Sequence, residues 1–193
     1  MTATYTFDVF SSLDGFGSAT AAGDWGGYWG KQTPVFLAHR LGQYSVEQRM
    51  VLGAQTYREF AHMLATEPDD SDVHDPWVTR MTHLPATVIS DSLTGDLDWF
   101  DATLVHGDAV GVVAALKESS DVPLRSHGSL AMNRSLLAAG LVERIQVTIF
   151  PVITGRSGAA PVLAGATDFD LELLDSTVFE GGVVELGFRP TVH

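Results

Sequence analysis

Apolar residues along the chain follow two spacings in turn: short continuous runs that suit buried strands, and sets at i, i+3, i+4 and i+7 that suit amphipathic helices. The region from Leu104 to Gly155 shows this most clearly, because it reads as strand, helix, strand, helix and strand. Within it, the run at 122–124 leads through Gly128-Ser129 into a helical pattern that begins at Leu130. Such alternation predicts an α/β fold with a mostly parallel sheet and helices on both faces.

The same two spacings predict the other elements before the C-terminal part. Strands are expected at 4–11, 49–52, 87–90 and 102–106, and helices at 34–44, from Thr56 onward, from Pro76 onward and at 110–117.

The C-terminal part of the chain has a different pattern. Phe169, Leu171 and Leu173 alternate with charged residues, and a second alternating run follows at 184–188. Gly181-Gly182 between the two runs can form a tight turn. The pattern predicts an antiparallel hairpin at the edge of the sheet.

Two of the predicted strands lead into a helix through a turn that contains a glycine. Thr56 and Glu59, after the first of these turns, have the sequence of a capping box, and Ser129 after the second is a suitable N-cap. One such junction is more often a plain capped turn. A helix N-terminus also attracts anions, however, and two junctions in one sheet can hold the diphosphate of a dinucleotide. The candidate cofactor-binding residues at the two junctions are Gly53, Ala54, Gln55, Thr56, His127, Gly128, Ser129 and Leu130.

The loop at 15–33 is rich in glycine and aromatic residues, and it is longer than a plain connection requires. Two interpretations stay open. The loop is either a lid that covers a ligand with Trp25 and Trp29, or a surface loop that these tryptophans anchor to the core. Asp14 also has two interpretations: a turn residue whose carboxylate bonds the backbone, or a catalytic residue that orients substrate or water.

Composition narrows the class of protein further. The 193 residues, 45% of them hydrophobic, are expected to form one domain over 1–193. The absence of cysteine excludes disulfides and thiolate chemistry, so redox chemistry would need a bound cofactor. The net charge of -13 disfavours nucleic acid and anionic membranes as partners. No signal peptide or bilayer-spanning run is recognisable, so we expect a cytoplasmic protein whose partner is a small molecule.

No motif for metal binding or nucleophilic catalysis is recognisable. The seven histidines show no HxH or HExxH spacing, and the acidic run at 67–72 lacks the glycine and terminal glutamate of an EF-hand loop. We therefore expect no metal site. The motif G-x-S-x-G is absent as well, which disfavours a hydrolase.

Six short motifs, taken in order along the chain, carry a family resemblance. They resemble the signatures of the dihydrofolate reductase-like family, and most closely those of the riboflavin-biosynthesis reductase domain and its stand-alone bacterial relatives. The likeness extends over nearly the whole chain. The motifs are Ser12-Leu13-Asp14-Gly15, Leu52-Gly53-Ala54-Gln55-Thr56-Tyr57, Val88-Ile89-Ser90, His127-Gly128-Ser129, Ala139-Gly140-Leu141-Val142-Glu143 and Phe150-Pro151-Val152-Ile153-Thr154-Gly155.

The resemblance implies a three-layer dihydrofolate reductase-like fold with a mostly parallel central sheet and an antiparallel C-terminal hairpin. It implies an oxidoreductase that uses NADPH or NADH and transfers a hydride to a C=N or C=O carbon of a small heterocyclic or ribosyl substrate. It also implies a homodimer formed through the late strands. The apolar series Ile145, Val147 and Ile149 suits that interface, although a buried intramolecular strand reads identically.

Two departures from the family pattern affect the expected coenzyme. Relatives commonly carry a basic residue directly after the glycine of the second-strand motif, where this chain has Ala54 and then Gln55. They also commonly carry an arginine after the serine at the strand end, where this chain has Asp91 after Ser90. By resemblance, Ser90 and Asp91 belong to the cofactor site near the adenosine ribose. The lost positive charge predicts a preference for NADH or a weakened affinity for NADPH, unless an arginine such as Arg80 or Arg125 compensates.

The substrate side also departs from the family. Dihydrofolate reductases place a carboxylate on the helix after the aromatic loop, whereas 34–40 contains no acid, so folate reduction is disfavoured. A ribose phosphate on the substrate would need basic partners, and Lys31, Arg40 and Arg49 are the nearest in sequence. A non-catalytic nucleotide- or metabolite-binding protein on the same fold stays open as an alternative, because a fold does not determine a function.

Overall fold

The structure is a computed structural model that describes residues 2–18, 28, 30–68 and 71–192. Its strands are β1 (Tyr5–Ser12), β2 (Phe16–Ser18), β3 (Arg49–Gly53), β4 (Ala86–Ile89), β5 (Ala102–Val105), β6 (Leu124–His127), β7 (Arg144–Phe150), β8 (Ala159–Pro161), β9 (Phe169–Val178) and β10 (Val184–Val192). Its helices are α1 (Pro34–Ser45), α2 (Ala54–Thr66), α3 (Pro76–Thr82), α4 (Ala109–Ser119) and α5 (Leu130–Ala138), with 3-10 turns at Asp72–His74 and Glu180–Gly182.

Eight strands form the central sheet in the order β5-β4-β3-β6-β1-β7-β10-β9. The strands from β5 to β7 in this order run parallel to one another, whereas β10 is antiparallel to both β7 and β9. The predicted antiparallel hairpin at the sheet edge is therefore confirmed. Strands β2 and β8 form a separate two-stranded sheet.

Alternation along β1 explains why helices cover both faces of the sheet. Tyr5, Phe7 and Val9 belong to a core that α4 and α5 cover, whereas Phe10 belongs to a second core with buried residues of α1, α2 and α3. Successive side chains of a strand point to opposite faces, so one strand supplies both cores. The predicted α/β fold with three layers is confirmed.

The elements predicted before the hairpin are present, and their ends shift by one or two residues. The two hairpin strands begin where predicted and continue four or five residues beyond the predicted runs. Strand β7 lies between β1 and β10, so the apolar series at 145–149 belongs to an intramolecular strand, which is one of its two interpretations. Strand β9 forms the edge of the sheet instead. Gly181 and Gly182 have φ values of 79° and 81°, which glycine adopts at little cost, and they make the turn before β10. Among the described residues, no helix is both long and apolar enough to cross a membrane.

A buried ionic cluster joins α1 to the middle of the sheet. The carboxylate of Asp8 accepts hydrogen bonds from Arg40 Nη2 (2.7 Å), Arg125 Nη1 (2.9 Å) and Tyr44 Oη (2.8 Å). His127 Nδ1 lies 3.4 Å from the same carboxylate, and Asp8, Arg40 and His127 are completely buried. Burial opposes the charge on Asp8, but Arg40, His127 and Arg125 outweigh it and hold the pKa of Asp8 well below its ordinary value of 3.8. Burial lowers the pKa of His127 below its ordinary 6.5.

These two pKa shifts predict that the protein loses stability as the pH falls. Both groups have a lower pKa in the folded than in the unfolded chain, so the unfolded state binds more protons. The contribution of His127 is complete above about pH 6.5 and decreases below it, and that of Asp8 decreases below about pH 4. We expect a lower urea midpoint at pH 5 than at pH 8.

Replacement of His127 by glutamine should remove most of this difference between pH 5 and pH 8. Replacement of the exposed His62 by glutamine is the matched control and should preserve it. Equal urea midpoints at the two pH values in the wild type would contradict the prediction.

Candidate coenzyme site

The two glycine-containing junctions lie side by side at the carboxyl edge of the parallel sheet. Helix α2 begins directly after Gly53, and α5 begins directly after Ser129. The backbone N–H of Gly53 donates to Ser129 Oγ (3.0 Å), and the backbone N–H of Ser129 donates to Thr56 Oγ1 (3.0 Å). This reciprocal pair of hydrogen bonds fixes the two helix N-termini relative to each other.

The local conformation at the second junction depends on Gly128 and Ser129, which have φ values of 73° and 50°. Ser129 is the N-cap residue as predicted, but its hydroxyl bonds Gly53 and not its own helix. The predicted capping box is wrong, because α2 begins at Ala54 and the hydroxyl of Thr56 accepts from Ser129. A tertiary contact has replaced the local one.

The amides available to an anion are those of the first helical turns. The first N–H groups of a helix have no partner within it, and neither cap residue supplies a side-chain bond to them in α2 or α5. The amides of Gly53 and Ser129 are already engaged, and that of Gly128 donates to the carbonyl of Asp8 (2.9 Å). A bound anion would therefore meet the amides of 54–56 and 130–132.

A cavity of about 630 Å³ opens in front of these amides, within the size range of small-molecule sites. Strand β1, both helix N-termini and the β2–β8 sheet form its wall. Its lining residues are Val9, Phe10, Gly17, Ser18, Gly53, Ala54, Gln55, Thr56, Glu59, Gly128, Ser129, Leu130, Ala131, Met132, Arg134, Ala159, Ala160 and Pro161. The cavity thus includes every predicted cofactor residue of the two junctions except His127.

Backbone strain concentrates at this cavity. Among the described residues, the non-glycine positions with positive φ are Ser129 and Ala160, and both line the cavity. Such conformations cost on the order of 1–3 kcal/mol and collect at functional sites. Their position supports a binding role for this space.

Among the described residues, two charged side chains line the cavity, and the sequence patterns identify neither as a site residue. Glu59 Oε1 accepts from Gln55 Nε2 (2.9 Å), one helical turn earlier. Arg134 Nη1 donates to the carbonyls of Pro161 (3.2 Å) and Val162 (3.5 Å), which holds it beside β8. The i, i+4 spacing of Gln55 and Glu59, and of Leu130 and Arg134, was the available signal for both.

Other predicted cofactor residues lie elsewhere. The imidazole of His127 is buried in the Asp8 cluster and does not line the cavity, so its side chain does not face a phosphate or ribose there. Ser90 and Asp91 follow β4 and also lie off the cavity wall. Ser90 Oγ accepts from the N–H groups of Ser92 (3.1 Å) and Leu93 (3.0 Å), and Asp91 accepts from that of Gly107 (2.8 Å). These side chains shape the turn after β4.

The structure supports the turn interpretation of Asp14 over the catalytic one. Its carboxylate accepts from the backbone N–H groups of Thr154 (3.1 Å) and Gly155 (2.8 Å), and it does not line the cavity. Hydrogen bonds from the Ser12 side chain and from these amides lower its pKa, so it carries no proton for general acid catalysis at neutral pH. Trp25 and Trp29 lie outside the described residues.

Most of the basic residues expected to hold a substrate phosphate either bond another side chain or lie away from the cavity. Arg40 is buried against Asp8, and Arg49 begins β3 and so lies at the amino edge of the sheet, opposite the cavity. Lys31 is exposed just before α1. Within the described ranges, histidine, aspartate and glutamate side chains form no group of three or more that could hold a metal ion.

Solved structures with this fold include proteins named for riboflavin biosynthesis and a dihydrofolate reductase. A protein of Shewanella sp. PV-4 named for riboflavin biosynthesis superposes with a TM-score of 0.71 at 16% identity, covering 97% of this chain and 99% of that one. The diaminohydroxyphosphoribosylaminopyrimidine deaminase/5-amino-6-(5-phosphoribosylamino)uracil reductase of Thermotoga maritima gives 0.64 at 13% identity, covering 98% and 57%. Dihydrofolate reductase of Enterococcus faecalis, complexed with NADP(H), gives 0.63 at 11% identity, covering 97% and 96%.

At identities of 11–16%, these structures show a shared fold only. In a separate comparison of sequences, no curated protein matches the chain. The family is shown by a different comparison, one that covers nearly all of the chain. The sequence model of the RibD C-terminal domain matches residues 3–184, and the chain therefore belongs to the RibD C-terminal domain family.

Proposed function

We propose that the protein is a nicotinamide-coenzyme-dependent reductase of the riboflavin-biosynthesis type. It would transfer a hydride to a C=N or C=O carbon of a small heterocyclic or ribosyl substrate. The observation that carries the proposal is the cavity of about 630 Å³ at which two helix N-termini meet without side-chain caps. Family membership supports the same reaction class.

The residues present fit a dinucleotide. The amides of 54–56 and 130–132 would hold its diphosphate, because N-terminal amides and the helix dipoles favour negative charge. Gly17 and Ala159 on the β2–β8 side leave room at the cavity wall. Arg134 adds one positive charge beside β8. When bound, a reduced nicotinamide coenzyme would supply the hydride, which the side chains of this protein cannot do.

The chain's own contribution is positioning and exclusion of water. Val9 and Phe10 give the cavity an apolar floor at the end of β1, and the β2–β8 sheet forms the opposite wall. Asp14 bonds the backbone of Gly155, and His127 contacts the buried Asp8, so both side chains lie away from the cavity. The proton that completes the reduction would therefore come from solvent.

Dihydrofolate reduction is a weaker candidate on this fold. The pterin-binding carboxylate of those enzymes would lie on α1, and α1 contains no acidic residue. Binding of a nucleotide without catalysis is the stronger alternative, because it would use the same amides. Turnover separates it from the proposed function.

The first test measures coenzyme binding and turnover separately. Titration of the protein with NADH and NADPH should give a saturable change in nicotinamide fluorescence. A coenzyme at a hundred times its Kd should raise the free energy of unfolding by about 2.7 kcal/mol. Oxidation of the coenzyme at 340 nm with 5-amino-6-(5-phosphoribosylamino)uracil or a related aminopyrimidine is the catalytic readout.

Saturable binding without turnover of any such substrate would favour a non-catalytic binding protein. Absence of binding would overturn the proposed function.

The hydrogen bond between Gly53 and Ser129 provides a second test. Replacement of Ser129 by alanine removes the acceptor that aligns the two helix N-termini, so coenzyme affinity should fall about five- to tenfold, the equivalent of about 1–1.4 kcal/mol. Replacement of Ser135 by alanine, at an exposed position of the same helix, is the matched control and should leave the Kd unchanged. Equal Kd values for the two variants would contradict the proposed anion site.

We also propose that the protein forms a homodimer through β9. Within the described part of the chain, this strand pairs with β10 on one side only, and it exposes the apolar side chains of Leu171, Leu173 and Val178. Long exposed apolar edge strands favour association. Light scattering should give twice the chain mass, and replacement of Leu173 by lysine should shift the protein toward the monomer. A wild-type monomer at high micromolar concentration would contradict the proposal.

A further inference from the structure

We infer that Asn133 is a positioning residue of the candidate coenzyme site, which holds the carbonyls of Gly128 and Ser129 inward and so directs the amides that begin α5 toward a bound phosphate. The inference rests on the proposed function and concerns a residue that does not touch the ligand. Residues 128–132 and Arg134 line the cavity, whereas Asn133 does not line it and is completely buried. Its side chain can therefore affect the site only through the residues of the turn.

The carboxamide of Asn133 bonds the backbone of the turn directly. Its Nδ2 donates to the carbonyl oxygens of Gly128 (2.8 Å) and Ser129 (3.3 Å), and to Ser126 Oγ (2.9 Å). The carbonyl of Ser129 also accepts from the backbone N–H of Asn133 (2.9 Å), as in a regular helix. One side chain thus holds both carbonyls of the turn.

The direction of these carbonyls fixes the direction of the amides that follow them. In a trans peptide the C=O and N–H groups point in opposite directions within one plane. The carbonyl of Gly128 points toward Asn133, so the N–H of Ser129 points the other way. That N–H donates to Thr56 Oγ1 in the first turn of α2. By the same geometry, the carbonyl of Ser129 directs the N–H of Leu130 out of the helix end, on the side of the cavity.

The turn needs this support because its conformation is unfavourable. Ser129 has a φ of 50°, and left-handed residues other than glycine persist only where their surroundings hold them. Helix α2 holds one side of the turn through the hydrogen bonds of Ser129 with Gly53 and Thr56. Asn133 holds the other side through both carbonyls. Without the carboxamide, the carbonyl of Gly128 would lose this donor, and the turn could relax toward a less strained conformation.

An asparagine at this place in the helix is not explained by stability alone. Asn133 shares the buried side of α5 with Leu136 and Leu137, where the helical pattern predicts an apolar residue. Asparagine also has a lower helix propensity than leucine, and a buried carboxamide costs free energy unless it is hydrogen-bonded. The carbonyls of the turn are among the groups that satisfy it, which ties the residue to the turn.

Two neighbouring hydroxyl groups fix the orientation of the carboxamide. Tyr5 Oη donates to Asn133 Oδ1 (2.9 Å), and Ser126 hydrogen bonds with both Tyr5 and Asn133 Nδ2. Burial raises the pKa of Tyr5, so its hydroxyl keeps the proton that it donates. The oxygen of the carboxamide therefore faces Tyr5, and the nitrogen faces the turn. Neither Tyr5 nor Ser126 lines the cavity.

The test measures the Kd values of NADH and NADPH by fluorescence titration of the full chain. Asn133→Leu keeps the shape of the side chain but removes its donors, so the Kd of the tighter-binding coenzyme should rise about fivefold or more. If this variant does not fold, Asn133→Ala, which also lacks the donors, replaces it with the same expected result.

Asn133→Ser is the rescue variant. A serine hydroxyl within a helix can donate to the carbonyl four residues earlier, which here is that of Ser129. One of the two carbonyl contacts would thus be restored, so the Kd of Asn133→Ser should lie between those of the wild type and Asn133→Leu.

Tyr5→Phe and Ser126→Ala are the matched controls. Each removes a buried hydrogen bond from the same group of side chains but leaves the carboxamide able to donate to the turn. Both variants should lower the urea midpoint and leave the Kd within about twofold of the wild type. Urea unfolding of every variant thus separates a loss of stability from a loss of coenzyme affinity.

The possible results distinguish this inference from the proposed function. An unchanged Kd in Asn133→Leu overturns the inference while the reductase proposal stands. A rise in Kd as large in Tyr5→Phe or Ser126→Ala as in Asn133→Leu does the same, because it would assign the effect to a weakened core. So does a Kd for Asn133→Ser no lower than that of Asn133→Leu. Absence of saturable binding of either coenzyme to the wild type overturns both.

Discussion

The buried carboxylate of Asp8 is the interaction on which the rest of the structure depends. Its side chain joins α1 to the sheet through Arg40 and Tyr44, and it lies within a cluster that includes Arg125 and His127 of β6. Its backbone carbonyl accepts from Gly128, at the turn that begins the candidate site. Loss of one partner from a buried ion pair costs about 3–5 kcal/mol, because the other charge stays uncompensated. The same residue thus stabilises the core and positions the turn.

The site itself relies on backbone dipoles more than on cationic side chains. With a net charge of -13, the protein surface repels anions at long range, although physiological salt screens that field beyond about 8 Å. Two helix N-termini provide local positive potential without the side-chain entropy and desolvation of buried lysine or arginine. Arg134 contributes a single formal charge, and carbonyl groups fix its position. This arrangement suits a diphosphate in an otherwise acidic protein.

Much of the fold could be predicted because its signals are local. The spacing of apolar residues located the strands and helices, and the rule that carboxyl ends of parallel strands share one edge placed Gly53 and Gly128 together. The partners of side chains could not be predicted in the same way. Thr56 and Glu59 fit a capping box in sequence, yet Thr56 bonds a residue that is distant along the chain, and Glu59 faces the cavity. His127 is buried because α1 packs over it, and the sequence around His127 carries no sign of that contact.

The two helices that meet at the cavity cover opposite faces of the sheet, α2 on one and α5 on the other. A molecule held by both N-termini would therefore fasten together two outer layers that otherwise meet mainly through the strands between them. Its binding energy would be distributed across the full thickness of the molecule. Ligand binding would then stabilise the whole folded protein, including regions far from the atoms in direct contact with the ligand.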